Sequence, residues 1–217
     1  MSAAAHFDRV LSKAERRLLL RLDMPDKIQL FLDDLAYATD TIYRSPLSVL
    51  RERTCQCFDG AVLAAALLHR LRYPAVILNL LPNNRDDDHV LALFQRGGHW
   101  GALAKSNFAG LRFREPVYRN LRELIMSYFE QYYNLHREKT LRGYTRPLDL
   151  KSFDRREWMT RDETMDLIAR RLDETRRFQI LTRPMIATLS LVDERSCRAG
   201  LQGANMAGLS RPPRRKH

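Results

Sequence analysis

The stretch CFDGAVLAAALLHRLRYPAVILNLL, residues 57–81, decides the fold. Ala61, Leu63, Ala64, Ala65, Leu67, Leu68 and Leu71 wrap most of the circumference of a helix. The spacing therefore predicts a central, buried helix from Cys57 to Leu71. Tyr73-Pro74 stops it, because proline has no N–H to donate and its ring blocks the preceding turn. The aliphatic run at 75–81 is continuous and of strand length. Outward from there, PNNRDDD at 82–88 reads as a polar loop and HVLALFQ at 89–95 as a second strand. Gly97-Gly98 follows as a hairpin turn, and 100–105 as a third strand. A two-residue turn puts Gln95 opposite Trp100 and Leu93 opposite Ala102. Carried on, the same register puts His89 opposite Ser106.

The flanks read as helical. Met1–His6 is small and frayed. Ser12 caps a charged helix to Leu22. Pro25 opens a helix with Ile28, Phe31, Leu32 and Leu35 inward. Ser45-Pro46 starts a short one with Leu47 and Leu50 inward. Beyond the strands, Pro116 opens a long helix burying Val117, Leu121, Leu124, Ile125, Tyr128, Phe129 and Tyr132. Residues 140–150 form an irregular connector. Thr160-Arg161-Asp162-Glu163 has capping-box spacing and begins a helix to about Arg177, and a strand follows at 185–192. From Arg198 onward Gly, Ala, Ser, Pro and Arg dominate, which predicts disorder. The fold class is α+β, a buried helix on a mainly antiparallel sheet with helical flanks at both ends. Residues 1–197 form one domain, with its core at about 25–135 and a helical extension at 136–197. A disordered basic tail takes up 198–217.

Of the 217 residues, 45% are hydrophobic and 29% charged, the range of an ordinary globular chain. No apolar run approaches the length of a transmembrane helix. The N-terminus lacks the apolar region of a secretory signal. Three cysteines, two of them in Cys55-Gln56-Cys57, do not make a disulfide scaffold. These features predict a cytoplasmic protein with free thiols and no membrane association. The net charge of +11 is uneven: residues 195–217 hold six bases and no acid. A nucleic-acid partner bound through that tail is the weaker alternative among partners.

Cys57 begins a helix, where the dipole and unpaired N–H groups favour the thiolate. His89 begins a strand after a polar loop, placed to take a thiol proton. The hairpin register offers Ser106 to orient its imidazole. The Cys55/Cys57 pair and Asp86-Asp87-Asp88 are weak metal patterns, so no metal or cofactor is expected.

In this order the pieces resemble the transglutaminase-like (papain-like thiol) superfamily, in particular an uncharacterised bacterial branch. That family reads Cys-x-Asp/Glu-x-Ala, then Leu-Leu-Arg-x-Leu-Gly-x-Pro-Ala and a strand. Cys57, Asp59, Ala61, Leu67, Leu68, Leu71, Pro74 and Ala75 match, while Arg72 stands where Gly is usual. His89 and Trp100 match the family's His-bearing strand and its following Trp. The resemblance covers residues 25–135. It implies acyl transfer or hydrolysis on an amide or ester, with Cys57 as nucleophile and His89 as base. The family's Asp, four residues after the Trp, is Ala104 here. That leaves Ser106 as the third group, Asn107 as a second choice, or an acid from 86–88. The backbone at Gln56 and Cys57 is expected to hold an oxyanion. Trp100, Asn107, Arg112 and Arg114 are expected to contact a peptide or amide/ester substrate. The alternative is a catalytically silent binding module that keeps the fold without the Asp.

Overall fold

The computed structural model describes residues 2–209. Three helices open the chain: α1 (Ala3–Val10), α2 (Lys13–Arg21) and α3 (Pro25–Asp33). Ser12 caps α2 with a full capping box to Glu15, and Pro25 sits in the first turn of α3. The N-terminus is not frayed from Ser2 on. Ser2 caps α1, and Ala3 and Phe7 are buried, because their spacing turns both onto the core. Strands β1 (Ala36–Tyr37) and β2 (Thr54–Cys55) form a parallel pair around α4 (Pro46–Glu52). Helix α5 (Cys57–Arg70) follows.

The main sheet is built from β3 (Val76–Pro82), β4 (His89–Arg96), β5 (His99–Leu103), β6 (Arg114–Tyr118), β7 (Leu141–Thr145), β8 (Leu148–Asp149) and β9 (Arg177–Gln179). Its order is β6-β5-β4-β3-β7-β9, with β8 also on β3, and every pairing is antiparallel. The hairpin register is as the turn dictates: Arg96 faces His99, Gln95 faces Trp100 and Leu93 faces Ala102. The β4–β5 ladder ends at Leu103, so it does not carry the pairing on to Ser106.

Alternation splits the core across the sheet. Ile77, Val90, Ala92, Phe94 and Leu103 face α5. Leu78, Leu80, Leu91, Leu93, Ala102 and Ala104 face a second cluster with Leu124, Ile125, Tyr128, Phe129 and Tyr132. Helix α5 is buried from Phe58 to Leu68. Its small residues bring its backbone onto the sheet.

Five predicted stretches differ. The long helix from Pro116 is instead β6, the short α6 (Leu121–Met126) and a 3₁₀ turn at Phe129–Gln131. β6 is an edge strand, where proline's missing N–H costs no ladder bond. Asn120 then caps α6 by accepting from the Glu123 N–H. Residues 140–150, read as irregular, contain β7 and β8. The next helix, α7 (Glu163–Asp173), begins after Asp162, whose carboxylate accepts from the Ser45 N–H and Ser48 Oγ rather than capping its own helix. Residues 185–192 are not a strand. Thr182 and Pro184 start α8 (Arg183–Ala187), and the sheet's last strand comes earlier, at 177–179. The stretch expected to be disordered from Arg198 instead holds the end of α9 (Glu194–Gly200) and a 3₁₀ turn at Met206–Gly208. The remaining tail, with Arg211, Arg214, Arg215 and Lys216, lies outside the described residues. Among the described residues no helix is long and apolar enough to cross a membrane.

Gly60 sets the depth at which α5 seats. A Cβ there would stand 2.5 Å from the Lys105 Cβ. Alanine normally stabilises a helix over glycine by up to about 1 kcal/mol. Here the contact is with the root of a side chain and cannot swing away. Gly60→Ala is expected to lower stability by roughly 1–3 kcal/mol, read as a lower urea midpoint at unchanged slope.

Candidate functional site

The first turn of α5 is anchored before it carries anything. Asp59 is fully buried, and its Oδ1 accepts from the Arg44 N–H at 3.0 Å and its Oδ2 from the Gln56 N–H at 3.3 Å. Burial pushes its carboxyl up to about 6 against those two bonds, so at neutral pH the carboxylate is the accepting form. Cys57 stands at the first helical position beside this anchor. Its Sγ lies 3.9 Å from the Asp88 carbonyl oxygen, and the N–H groups of Phe58 and Val90 point at it.

His89 opens β4 on the face it shares with Leu91 and Leu93, away from α5. Cys57 and His89 come to the end of this strand from opposite sides of the sheet and line one cavity of about 60 Å³. Tyr37, Asp86, Asp88, Ser106, Asn107 and Tyr132 share its wall. His89 Nε2 is 2.8 Å from the Leu111 carbonyl oxygen. A carbonyl only accepts, so Nε2 carries the proton and Nδ1 is left as the basic nitrogen. The Tyr132 ring lies edge-on at 6.5 Å, its hydroxyl donating to the Asp87 carbonyl.

The Cys57 thiol and the His89 imidazole both rest uncharged. Burial first, then the negative charges of Asp88 and Asp59, push the Cys57 thiol up to about 12; the Val90 and Phe58 N–H groups pull the other way. Burial pushes the His89 imidazole down to about 4, against its bond to Leu111. A thiol and a neutral imidazole are therefore the resting forms at pH 7. The three acids of the loop go separate ways. Asp86 accepts from Thr140 Oγ1 and Asp88 from the Asn79 amide, while Asp87 offers its carbonyl to Tyr132.

The other predicted residues divide. Asn107 lines the cavity. Ser106 does too, but it does not hold the imidazole: its Oγ accepts from the Phe108 N–H at 3.0 Å, closing a local turn. The orienting contact comes from the Leu111 backbone. Gln56 is not at the wall. Its N–H is taken by Asp59 and its amide donates to the Asp40 carbonyl, so neither group of Gln56 is free to hold an oxyanion. Trp100 packs on the second core cluster beyond Ala102, far along the ladder from His89. Arg114 is structural. Its guanidinium donates to Ser127 Oγ and to the carbonyls of Gly110, Phe113 and Ser127, and it lies 3.9 Å over the Tyr128 ring. Arg112 pairs with Asp33 on a neighbouring groove. Ala104, where the resemblance leads one to expect Asp, is fully buried with its N–H and C=O clamped by the Gln29 amide. Sequence reasoning missed Leu111, Tyr132 and Tyr37. The first acts through its backbone, which leaves no trace in residue type.

In structure the chain is similar to LapG of Legionella pneumophila. One such structure, from EGTA-treated protein, is 12% identical with a TM-score of 0.40, covering 78% of this chain and 95% of that one. Another is 13% identical with a TM-score of 0.34, covering 48% and 68%. No protein-family model matches the chain, and no curated protein does.

The His89 assignment has a sign that can be checked. The unfolded chain takes up this proton near 6.5 and the folded chain only near 4. The group therefore weakens folding progressively as pH falls across that window and is without effect above it. In two-bond ¹H–¹⁵N spectra, His89 is expected to appear as the Nε2–H tautomer and to stay neutral at pH 5.5. A histidine titrating at its ordinary value would sink the buried-neutral assignment.

Proposed function

We propose that the protein is a thiol-dependent acyl-transfer or hydrolytic enzyme of transglutaminase-like type acting on an amide or ester. What supports this reading is that Cys57 and His89 both line one small cavity, with the Leu111 carbonyl on Nε2 leaving Nδ1 as the basic nitrogen. Nδ1 takes the thiol proton as Sγ attacks the carbonyl carbon. The N–H groups opening α5 stabilise the oxyanion. The imidazolium returns its proton to the departing amine or alcohol, leaving an acyl-Cys57. Water or an amine then takes the acyl group, and the accessible acceptor decides between hydrolysis and transfer. We place this chemistry in the cytoplasm, where free thiols such as Cys55, Cys57 and Cys197 persist.

A second reading, a binding module without turnover, is favoured by Ala104. No carboxylate stands behind His89 there, and a main-chain carbonyl holds an imidazolium less well than an anion does. The two readings part on covalency. With p-nitrophenyl acetate, the enzyme reading expects nitrophenolate release together with an acetyl adduct mapped to Cys57. Cys57→Ser abolishes both, and His89→Gln slows release by roughly 10²–10⁴. Release that persists in Cys57→Ser, or no adduct at Cys57, overturns the thiol mechanism.

A further inference from the structure

The segment after α9 runs across the cavity that holds Cys57 and His89. Its anchor is α9, where Gly200 packs on Tyr133 and the Tyr133 hydroxyl donates to the Ser196 carbonyl at 3.0 Å. Asn205 is extended, at φ −77° and ψ 101°. The Asn107 amide reads both its main-chain groups: Nδ2 donates to the Asn205 carbonyl at 3.1 Å, and Oδ1 accepts from the Asn205 N–H at 2.9 Å. The Asn205 side chain donates in turn to the Tyr37 carbonyl at 3.2 Å. Three residues on, Gly208 lies flat against Tyr37, where a Cβ would meet the ring at 2.8 Å and Asn107 Nδ2 at 3.1 Å. Gly208 and Leu209 complete the wall of the Cys57 cavity.

A wider groove of about 570 Å³ lies on the other side of this segment, lined by Lys105, Arg112, Gln202 and Asn205 among others. Groove and cavity share Tyr37, Ser106 and Asn107. The segment thus lines both, through Asn205 on the groove side and Gly208 and Leu209 on the cavity side. A side-chain amide that pairs with the N–H and C=O of one extended residue recognises peptide backbone regardless of side chain. The close Tyr37 ring adds a steric filter for glycine.

We propose that Asn107 and Tyr37 form a subsite for a peptide in which one extended residue, clamped by Asn107, leads into a tight turn that ends in glycine three residues on, and that residues 205–209 occupy it as an intramolecular ligand closing the Cys57 cavity. This rests on the acyl-transfer reading and narrows its substrate class to peptides. Displacing the segment readmits water to Cys57 and His89, relieving the burial that holds both neutral.

The test is the rate of iodoacetamide alkylation of Cys57, read by peptide mass spectrometry on the full chain. Gly208→Val drives a side chain into Tyr37, and Asn205→Pro removes the N–H that Asn107 receives. Each is expected to raise the rate about tenfold or more, in proportion to the open fraction. A synthetic peptide of residues 203–210, GANMAGLS, is expected to slow alkylation of the Gly208→Val protein. The same peptide with valine at the glycine is not, and Asn107→Ala in the Gly208→Val protein is expected to remove the protection. Rates unchanged in both variants overturn the intramolecular ligand. Equal protection by the valine peptide overturns the glycine filter. His89→Gln in the Gly208→Val background separates the two proposals: if it leaves alkylation unaltered, the acyl-transfer reading fails while the closing segment stands.

Discussion

The buried carboxylate of Asp59 is the constraint on which the site depends. It binds two backbone N–H groups from different parts of the chain, that of Arg44 before α4 and that of Gln56 before α5. Each would be a costly orphan if unpaired in this interior. One side chain thus ties the loop leading into α4 to the start of α5 and fixes where the central helix begins. Cys57 stands at that beginning, two residues away. The position of the thiol is consequently set by a hydrogen-bonded turn and by the depth at which Gly60 lets α5 sit on the end of β5.

The same economy governs His89. Its place follows from β4 alternation, and its tautomer from a single carbonyl on the loop between β5 and β6. That loop is itself shaped by the 3₁₀ turn at Ala109–Leu111 and by Arg114, which donates to the Gly110 carbonyl in the same loop. Arg114 therefore reaches the site only indirectly, by holding the loop that holds the imidazole.

What was legible in the sequence was what repeats. Helix α5 is apolar on nearly every side, and the β4–β5 register follows from a two-glycine turn between alternating strands, so periodicity put Cys57 at a helix start and His89 at a strand start. Residues 116–132 misled because apolar residues at helical spacing also fit an edge strand followed by two short turns; Pro116 suits either. The partner of His89 was sought among side chains because the hairpin register pointed to Ser106. The ladder stops at Leu103, and a backbone carbonyl does the work. Residues 198–209 have the composition of a disordered segment, since small polar residues bury too little to order themselves. They are ordered here by what they touch: a tyrosine under Gly200, an amide pairing with Asn205 and a ring under Gly208. None of these contacts leaves a periodic signature.

These contacts also account for the resting chemistry of the site. Cys57 and His89 each titrate away from the useful range for the same first reason, burial, and Gly208 and Leu209 of the covering segment line the cavity they share. Desolvation disfavours both the thiolate and the imidazolium. Exposing the cavity moves the thiol down and the imidazole up together, which brings the proton transfer between them closer to balance. On the proposal made above, the half-buried Cys57 is held in its thiol form while its own chain lines the cavity. On that proposal a competing backbone displaces the chain and admits water to the thiol, so access and acid–base tuning are governed by one movement.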